Sequence, residues 1–207
     1  PTPVVAPGGA VHAASPATGH PGGRVELVVV IPDASGRLGG TWYTSTPVSG
    51  LWEDFLADDL VRHVDAAFRT RADRAHRGIA GQSMGAYGAL RLALRRPDRF
   101  GAVVAVSPVV VSDPNPLGDF GARAALEVDR TELESASLAA RVLWSRARAF
   151  SPDPRSPPEL ARLPYRLVDG EPVREDDVWP LWADQTLEAL ATRHRGAFDD
   201  VDVRVEV

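Results

Sequence analysis

The sequence predicts an α/β fold with a doubly wound, mostly parallel sheet and flanking helices. Two β-branched apolar runs, RVELVVVIP at 24–32 and FGAVVAVS at 100–107, have the character of strands that are buried in a parallel sheet. Between them, residues 51–68 carry apolar side chains at helical spacing, and residues 86–96 are good helix formers. Strands and helices therefore alternate along the chain, which is typical of a doubly wound sheet.

Length and composition limit the domain organisation and the partners. With 207 residues, of which 44% are hydrophobic, the chain can form one domain with a buried core. Its net charge of −5 gives no reason to expect nucleic acid or an anionic membrane as a partner. It has no cysteine, which excludes disulfides and thiolate metal sites, and no apolar run approaches the roughly 20 residues of a membrane span. The compartment, cytoplasmic or secreted, and the oligomeric state stay open.

The remaining elements follow from turn signals and apolar spacing. Residues 1–23 are rich in Pro, Gly and Ala and predict a loop with at most one short strand at 3–6, and residues 33–50 predict a long loop. Residues 108–164 are Pro-rich and predict a lid-like insertion within the single domain 1–207, with helices in GARAALEV and ELESASLAARVLWSRARAF. The other predicted elements are a strand at 78–80, a helix at 86–96 stopped by Pro97, a strand at 165–168, a helix at 178–194 and a last strand at 201–207.

The pentapeptide Gly81-Gln82-Ser83-Met84-Gly85 fits G-x-S-x-G, the nucleophile elbow. The chain must turn sharply from strand to helix there, which places the serine in a strained conformation with its Oγ exposed at the carboxyl edge of the sheet. The glycines on either side have no Cβ, so helix and strand can close around the turn. The backbone N–H of Met84, at the helix N-terminus, is placed to stabilise an oxyanion. The pattern therefore predicts that Ser83 is a nucleophile.

The residues around this motif resemble a known family. WEDFL at 52–56 and GIAGQSMGAYGALRLALRRPDRFGAVVAVSP at 78–108 are similar to the esterase D group of α/β-hydrolases, which includes S-formylglutathione hydrolases, carboxylesterases and mycolyltransferases. The resemblance spans residues 25–108. It implies an α/β-hydrolase fold and a serine esterase that cleaves a small-molecule carboxylic ester or thioester through an acyl-enzyme on Ser83, with no cofactor or metal. An acyltransferase, in which an alcohol resolves the acyl-enzyme, is the alternative within the same chemistry.

The resemblance also implies a carboxylate after the strand that follows the lid, which in this sequence is YRLV. Asp176 and Asp177 come just ahead of the next predicted helix and are the favoured residues, with Glu175 third. Asp169, at the end of the strand, is a further candidate. A structural interpretation stays open for these residues, because acidic side chains stabilise helix N-termini whether or not they act in catalysis.

The general base of the family is a histidine in a loop directly after the last strand. In this sequence the last strand is VDVRVEV, and the sequence ends with it. Surface or structural positions explain the five histidines that are present better than catalysis does: His12, His20, His63, His76 and His194. We therefore expect the catalytic histidine to lie outside these 207 residues.

The front of the chain also departs from the family pattern. Family members carry two or more strands before VELVVVIP and a loop that donates a second oxyanion N–H. The stretch VVAPGGAVH matches that strand and loop most nearly, which makes Gly9, or its neighbour Gly8, the candidate donor. We favour a domain that is incomplete at both ends in this sequence, because the elbow itself is intact. The alternatives are an inactive relative that binds a ligand or partner, and one piece of a larger assembly whose histidine comes from another segment.

Several aromatic residues fall in loops or lid-like regions near the predicted active edge. They could either line an apolar substrate pocket or pack the lid helices onto the sheet, and we favour packing. Tyr87, just past the elbow, is predicted to lie inside. The loop and lid aromatics are Trp42, Tyr43, Trp52, Trp144, Trp179 and Trp182.

Overall fold

The computed structural model of the chain describes the backbone of residues 10–17 and 25–207. The strands are β1 Ala10–Ala17, β2 Val25–Ile31, β3 Ser35–Gly36, β4 Gly39–Gly40, β5 Ser45–Thr46, β6 Gly50–Leu51, β7 Gly78–Gln82, β8 Ala102–Val106, β9 Tyr165–Val168, β10 Glu171–Arg174 and β11 Asp202–Glu206. The α-helices are α1 Trp52–Asp54, α2 Leu60–Ala67, α3 Met84–Arg95, α4 Gly118–Glu127, α5 Leu138–Phe150, α6 Trp179–Ala183 and α7 Leu187–Arg193. A π-helical turn, Phe55–Asp59, joins α1 to α2, and 3₁₀ turns lie at Arg74–His76 and Arg130–Ser135.

A parallel sheet with strand order β11-β8-β7 organises the fold. The crossover from β7 to β8 runs through α3, which packs on one face of both strands. On that face Val103 and Ala105 are completely buried, whereas Val104 on the opposite face is 37% exposed. The α/β class that the alternation of strands and helices predicts is confirmed.

The helix predicted over 51–68 forms as α1, the π-helical turn and α2 in continuous sequence. A buried carboxylate fastens its start to α3. Both oxygens of Glu53 accept hydrogen bonds from Arg95 Nε at 2.8 Å, and the Arg91 guanidinium lies 3.8 Å away. Because Glu53 is only 7% exposed, it joins two helices through a contact that water screens poorly.

Removal of this carboxylate should destabilise the protein strongly. Glu53→Ala leaves Arg91 buried without a counter-charge, and we expect the free energy of unfolding to fall by about 3 kcal/mol in urea denaturation. Glu134→Ala is the matched control, because its partner Arg37 is exposed and such surface pairs contribute less than about 1 kcal/mol. Equal losses in the two variants would contradict the role of Glu53.

The prediction for β2 is wrong in its partner and its burial. Residues 24–32 were expected to form a parallel strand buried on both faces, but β2 pairs antiparallel with β1. The resulting two-stranded ribbon leaves Leu27 53% and Ile31 58% exposed, since neither strand belongs to the larger sheet. The loop predicted across residues 10–17 is likewise wrong, because these residues form β1. The short strand predicted at 3–6 lies outside the described residues.

The last third of the chain also differs from the prediction in its connections. The strand at 165–168 forms as β9, but it pairs with β10 in an antiparallel hairpin that contacts α4. The helix expected at 178–194 is divided into α6 and α7, because Thr186 caps α7 by accepting a hydrogen bond from the Ala189 N–H. The last strand, β11, forms as predicted and pairs with β8.

Aromatic side chains fill the core beside α3. Trp42 packs edge-on against Tyr87 and Phe150 at centroid distances of 5.7 and 5.9 Å, and Phe150 in turn meets Trp182 at 5.7 Å. Packing is therefore the role of Trp42, Trp144 and Trp182, which are at most 3% exposed, and Tyr87 is inside as predicted. Tyr43, Trp52 and Trp179 stay partly exposed.

Among the described residues, no helix is long and apolar enough to cross a membrane.

Candidate active site

Ser83 occupies the turn between β7 and α3. It has a φ of 54° and a ψ of −115°, a combination that a non-glycine residue adopts only at a cost in free energy. The end of the neighbouring strand holds the turn in place, because the Ser83 N–H donates a hydrogen bond to the Val106 carbonyl at 2.9 Å. The Ser83 side chain is exposed. A strained, exposed serine thus stands at the carboxyl edge of the parallel sheet.

The two glycines of the motif differ in what their positions require. A Cβ on Gly81 would lie 2.2 Å from the carbonyl carbon and oxygen of Gly85, closer than any Cβ approaches backbone atoms. A Cβ on Gly85 would meet only the Tyr43 hydroxyl, at 3.8 Å, which is ordinary contact. The close approach of strand and helix that the motif predicts therefore depends on Gly81 and not on Gly85.

Met84 is the first residue of α3, so its N–H has no partner within the helix. The 12 residues of α3 place the positive end of the helix dipole at this point, where a negative oxygen is stabilised. The other predicted oxyanion donor, Gly9 with its neighbour Gly8, lies outside the described residues.

A second serine stands beside Ser83 at the same edge. Gln82 pairs with Val106 in the parallel register, so Ser83 and Ser107 directly follow two paired residues. Ser107 is also exposed and has a φ of 48°, and its N–H donates to the Glu206 carbonyl at 2.7 Å. Sequence reasoning did not single out Ser107, whose only signal was its place at the end of an apolar run.

The candidate acids lie on or just after the β9–β10 hairpin and not at the end of a strand in the parallel sheet. Asp169 has a φ of 51° and is followed by Gly170 at 80°, the positive dihedrals that a tight hairpin turn requires. Glu175 pairs with Arg166 at 3.2 Å. Turn geometry thus explains Asp169, and an ion pair occupies Glu175.

The two favoured acids, Asp176 and Asp177, are both exposed. Asp177 pairs with Arg162 at 2.7 Å, and this hydrogen bond lowers the pKa of the Asp177 carboxyl. Asp176 belongs to none of the ion pairs found among the described residues. Of the two, Asp176 is therefore the carboxylate that is available to another partner.

Local surroundings account for two of the histidines, His76 and His194. His76 Nδ1 lies within hydrogen-bond distance of the Asp73 carboxylate, at 2.8 Å, in the turn before β7. His194 ends α7, where burial and the nearby charges of Arg95 and Arg193 lower the pKa of its imidazole. The side chains of His63, His76 and His194 are described, and none of them hydrogen-bonds to Ser83. Only the backbone of His12 is described, within β1, and His20 lies outside the described residues.

The larger of two described cavities is not at the elbow. Its volume is about 440 Å³, and it lies at the C-terminal ends of α3 and α7, away from Ser83 at the start of α3. Arg74, Arg95 and Arg195 line it, which suits the negative ends of two helix dipoles. Among the described residues, no three His, Asp or Glu side chains converge as metal ligands would.

Comparison with known proteins gives one family and several partial likenesses. Residues 24–189, more than half of the chain, match the model of a family described as "Putative esterase". A protein of Mycobacterium tuberculosis (strain CDC 1551 / Oshkosh) that is named as an esterase is 40% identical over 74 residues, and the match covers 33% of this chain and 15% of that protein.

Two solved structures are similar over most of this chain. One is a ferulic acid esterase, with 21% identity and a TM-score of 0.43. The match covers 87% of this chain and 62% of that chain. The other is an S-formylglutathione hydrolase from Agrobacterium tumefaciens, with 23% identity and a TM-score of 0.36. The match covers 87% of this chain and 63% of that chain. This chain therefore spans less than two thirds of the length of these proteins.

Proposed function

The chain belongs to the esterase family whose model it matches, as the resemblance of its sequence predicts, and we propose on this basis that it is a serine esterase. Its nucleophile in this proposal is Ser83. The substrate class is a carboxylic ester or thioester of a small molecule. One observation supports the proposal above the others: Ser83 is exposed, has a φ of 54°, and precedes a helix whose first N–H has no partner within that helix.

The proposed reaction has two halves. Ser83 Oγ attacks the ester carbonyl carbon while a general base takes the hydroxyl proton, and the carbonyl electron pair moves onto oxygen. The Met84 N–H stabilises this oxyanion. When the carbonyl re-forms, the C–O or C–S bond to the leaving group breaks, and the leaving group receives the proton from the base. Water then attacks the acyl-enzyme in the same way and releases the acid.

The base in this proposal is a histidine, by resemblance to the family. The molecule that accepts the acyl group in the second half separates hydrolysis from acyl transfer, since an alcohol in place of water gives a new ester. A non-catalytic relative is the rival from another class, and the observation that favours it is the lack of a hydrogen bond from any described histidine side chain to Ser83.

A fluorophosphonate probe tests the proposal directly, because it reacts at an appreciable rate only with a serine that a base activates. The full-length protein is treated with the probe, its intact mass is measured, and the adduct is mapped by peptide mass spectrometry. We expect one adduct, on Ser83. No adduct, or an adduct on Ser107 alone, would overturn the assignment of the nucleophile.

The orienting carboxylate of the proposed triad is Asp176. We expect Asp176→Asn to lower kcat by about 10³-fold or more, because the histidine would lose the partner that holds its tautomer and orientation. Asp177→Asn is the matched control: Asp177 is occupied by Arg162, so the variant should keep its kcat. Steady-state kinetics with p-nitrophenyl acetate distinguish the two variants, and a reversed order would assign the role to Asp177.

A further inference from the structure

Tyr43 lies over the first turns of α3, against Gly85 and Gly88. Three of its ring carbons lie 2.2–2.9 Å from the place that a Cβ would have on Gly88, so the ring fills the space that this glycine leaves free. Its hydroxyl oxygen lies 3.8 Å from the Cβ position of Gly85, one turn nearer the start of the helix. The phenol therefore runs along α3 with its hydroxyl directed toward the helix N-terminus, the end that Ser83 and Met84 form.

The backbone that carries Tyr43 is strained and firmly held. Trp42 and Tyr43 both have a φ of 55°, and two consecutive aromatic residues adopt such values only where the surroundings enforce them. Trp42 provides that enforcement: its ring is 3% exposed, its Nε1 donates to Ser145 Oγ at 3.0 Å, and the Arg146 guanidinium lies 4.4 Å from its ring centroid. Two residues before Trp42, at the end of β4, Gly40 admits the Met84 side chain, since a Cβ there would lie 2.2 Å from its terminal methyl.

The Tyr43 hydroxyl is available to a ligand. No described residue hydrogen-bonds to it, whereas the hydroxyls of Tyr87 and Tyr165 bond to the Gln185 carbonyl and to Asn115. Burial raises the pKa of the Tyr43 phenol, so it keeps its proton and can donate a hydrogen bond at neutral pH. The half-buried Tyr43 thus has an unused hydrogen-bond donor near the start of α3.

From this geometry we propose that the Tyr43 hydroxyl is a further hydrogen-bond donor, beside the Met84 N–H, for the oxygen of the substrate carbonyl when Ser83 attacks. The inference rests on the proposed function, and it assigns a catalytic role to a side chain of the loop between β4 and β5. Donation to the oxyanion strengthens as negative charge develops on the oxygen, so the contact lowers the barrier more than it improves substrate binding.

The test is Tyr43→Phe, which keeps the ring on Gly88 and removes only the hydroxyl. We expect kcat for p-nitrophenyl acetate to fall about 10²-fold, the loss typical of one oxyanion donor, with little change in KM. The inhibition constant of trifluoroacetone, whose adduct with serine carries the same anionic oxygen, should rise by the factor by which kcat/KM falls. A purely structural role for Tyr43 would not produce this proportionality.

Tyr165→Phe is the matched control, because it removes a buried hydroxyl on the β9–β10 hairpin that accepts a hydrogen bond from Asn115. It should lower the unfolding temperature and leave kcat unchanged. If Tyr43→Phe keeps the kcat of the unchanged protein, or loses activity only through KM, the inference is overturned while the esterase proposal stands. If the unchanged protein neither hydrolyses esters nor reacts with the fluorophosphonate, both proposals fail together.

Discussion

Replacing Ser83 with alanine should reduce kcat for p-nitrophenyl acetate by about 10⁵-fold or more, since the proposed acyl-enzyme on Ser83 cannot then form. A small residual rate over the uncatalysed reaction is expected, because the Met84 N–H remains in place to bind the carbonyl oxygen. Labelling by the fluorophosphonate should disappear in the same variant. The measurement is ester hydrolysis under single-turnover and steady-state conditions, followed by intact mass.

Folding and the neighbouring serine supply the controls for this variant. Ser83 is exposed, and alanine removes only its hydroxyl, so the midpoint of urea denaturation should not decrease. Ser107→Ala, on the adjoining strand end, should keep both turnover and labelling. A Ser83→Ala variant that retains turnover would contradict the assignment of Ser83, and labelling of Ser107 in that variant would move the nucleophile to Ser107. If neither the unchanged protein nor the variant turns over ester, the binding-protein interpretation is supported.

The largest expected effect on stability is that of Gly81→Ala. The added methyl would lie 2.2 Å from the Gly85 carbonyl carbon and oxygen and 2.7 Å from the Ala86 nitrogen. All three are backbone atoms at the start of α3, so no side chain can move aside to relieve the overlap, and either β7 or the helix must shift. We expect the free energy of unfolding to fall by about 4 kcal/mol or more, in the range that only a few mechanisms reach.

Gly85→Ala is the matched control on the other side of Ser83. Its methyl would meet only the Tyr43 hydroxyl at 3.8 Å, and its φ is not positive. Because alanine is a better helix former than glycine, we expect the free energy of unfolding to rise by up to about 1 kcal/mol. Urea denaturation measures the free energy of unfolding of both variants. Similar values for the two would contradict the requirement for glycine at position 81.

Local chemistry made the elbow predictable. The strand, the strained Ser83 and the helix after it are specified by neighbouring residues, since glycines, an apolar run and good helix formers act within a few positions of each other. The helix from Trp52 to Ala67 was predictable for the same reason, because its apolar spacing is a property of the segment itself.

Strand pairing was not predictable in the same way. The apolar run of β2 predicts a buried parallel strand, yet its partner is β1, which lies within the stretch 1–23 whose Pro, Gly and Ala residues indicate a loop. The Asp169-Gly170 turn, two residues with positive φ, joins β9 to β10, and the two strands form a sheet of their own apart from the parallel sheet. The choice of partner depends on contacts between segments that are far apart in sequence, which an apolar pattern does not encode.

The sequence by itself determined the nucleophile candidate, the helix that follows it and the family to which both point. Only the tertiary structure decided which neighbours those residues have: Tyr43 beside Gly85 and Gly88, Asp177 with Arg162, and Ser107 next to Ser83. The physical reason is the range of the forces involved. Backbone dihedrals and helix propensity are set by adjacent residues, whereas the packing of a loop on a helix or the pairing of two charges exists only once distant segments have come together.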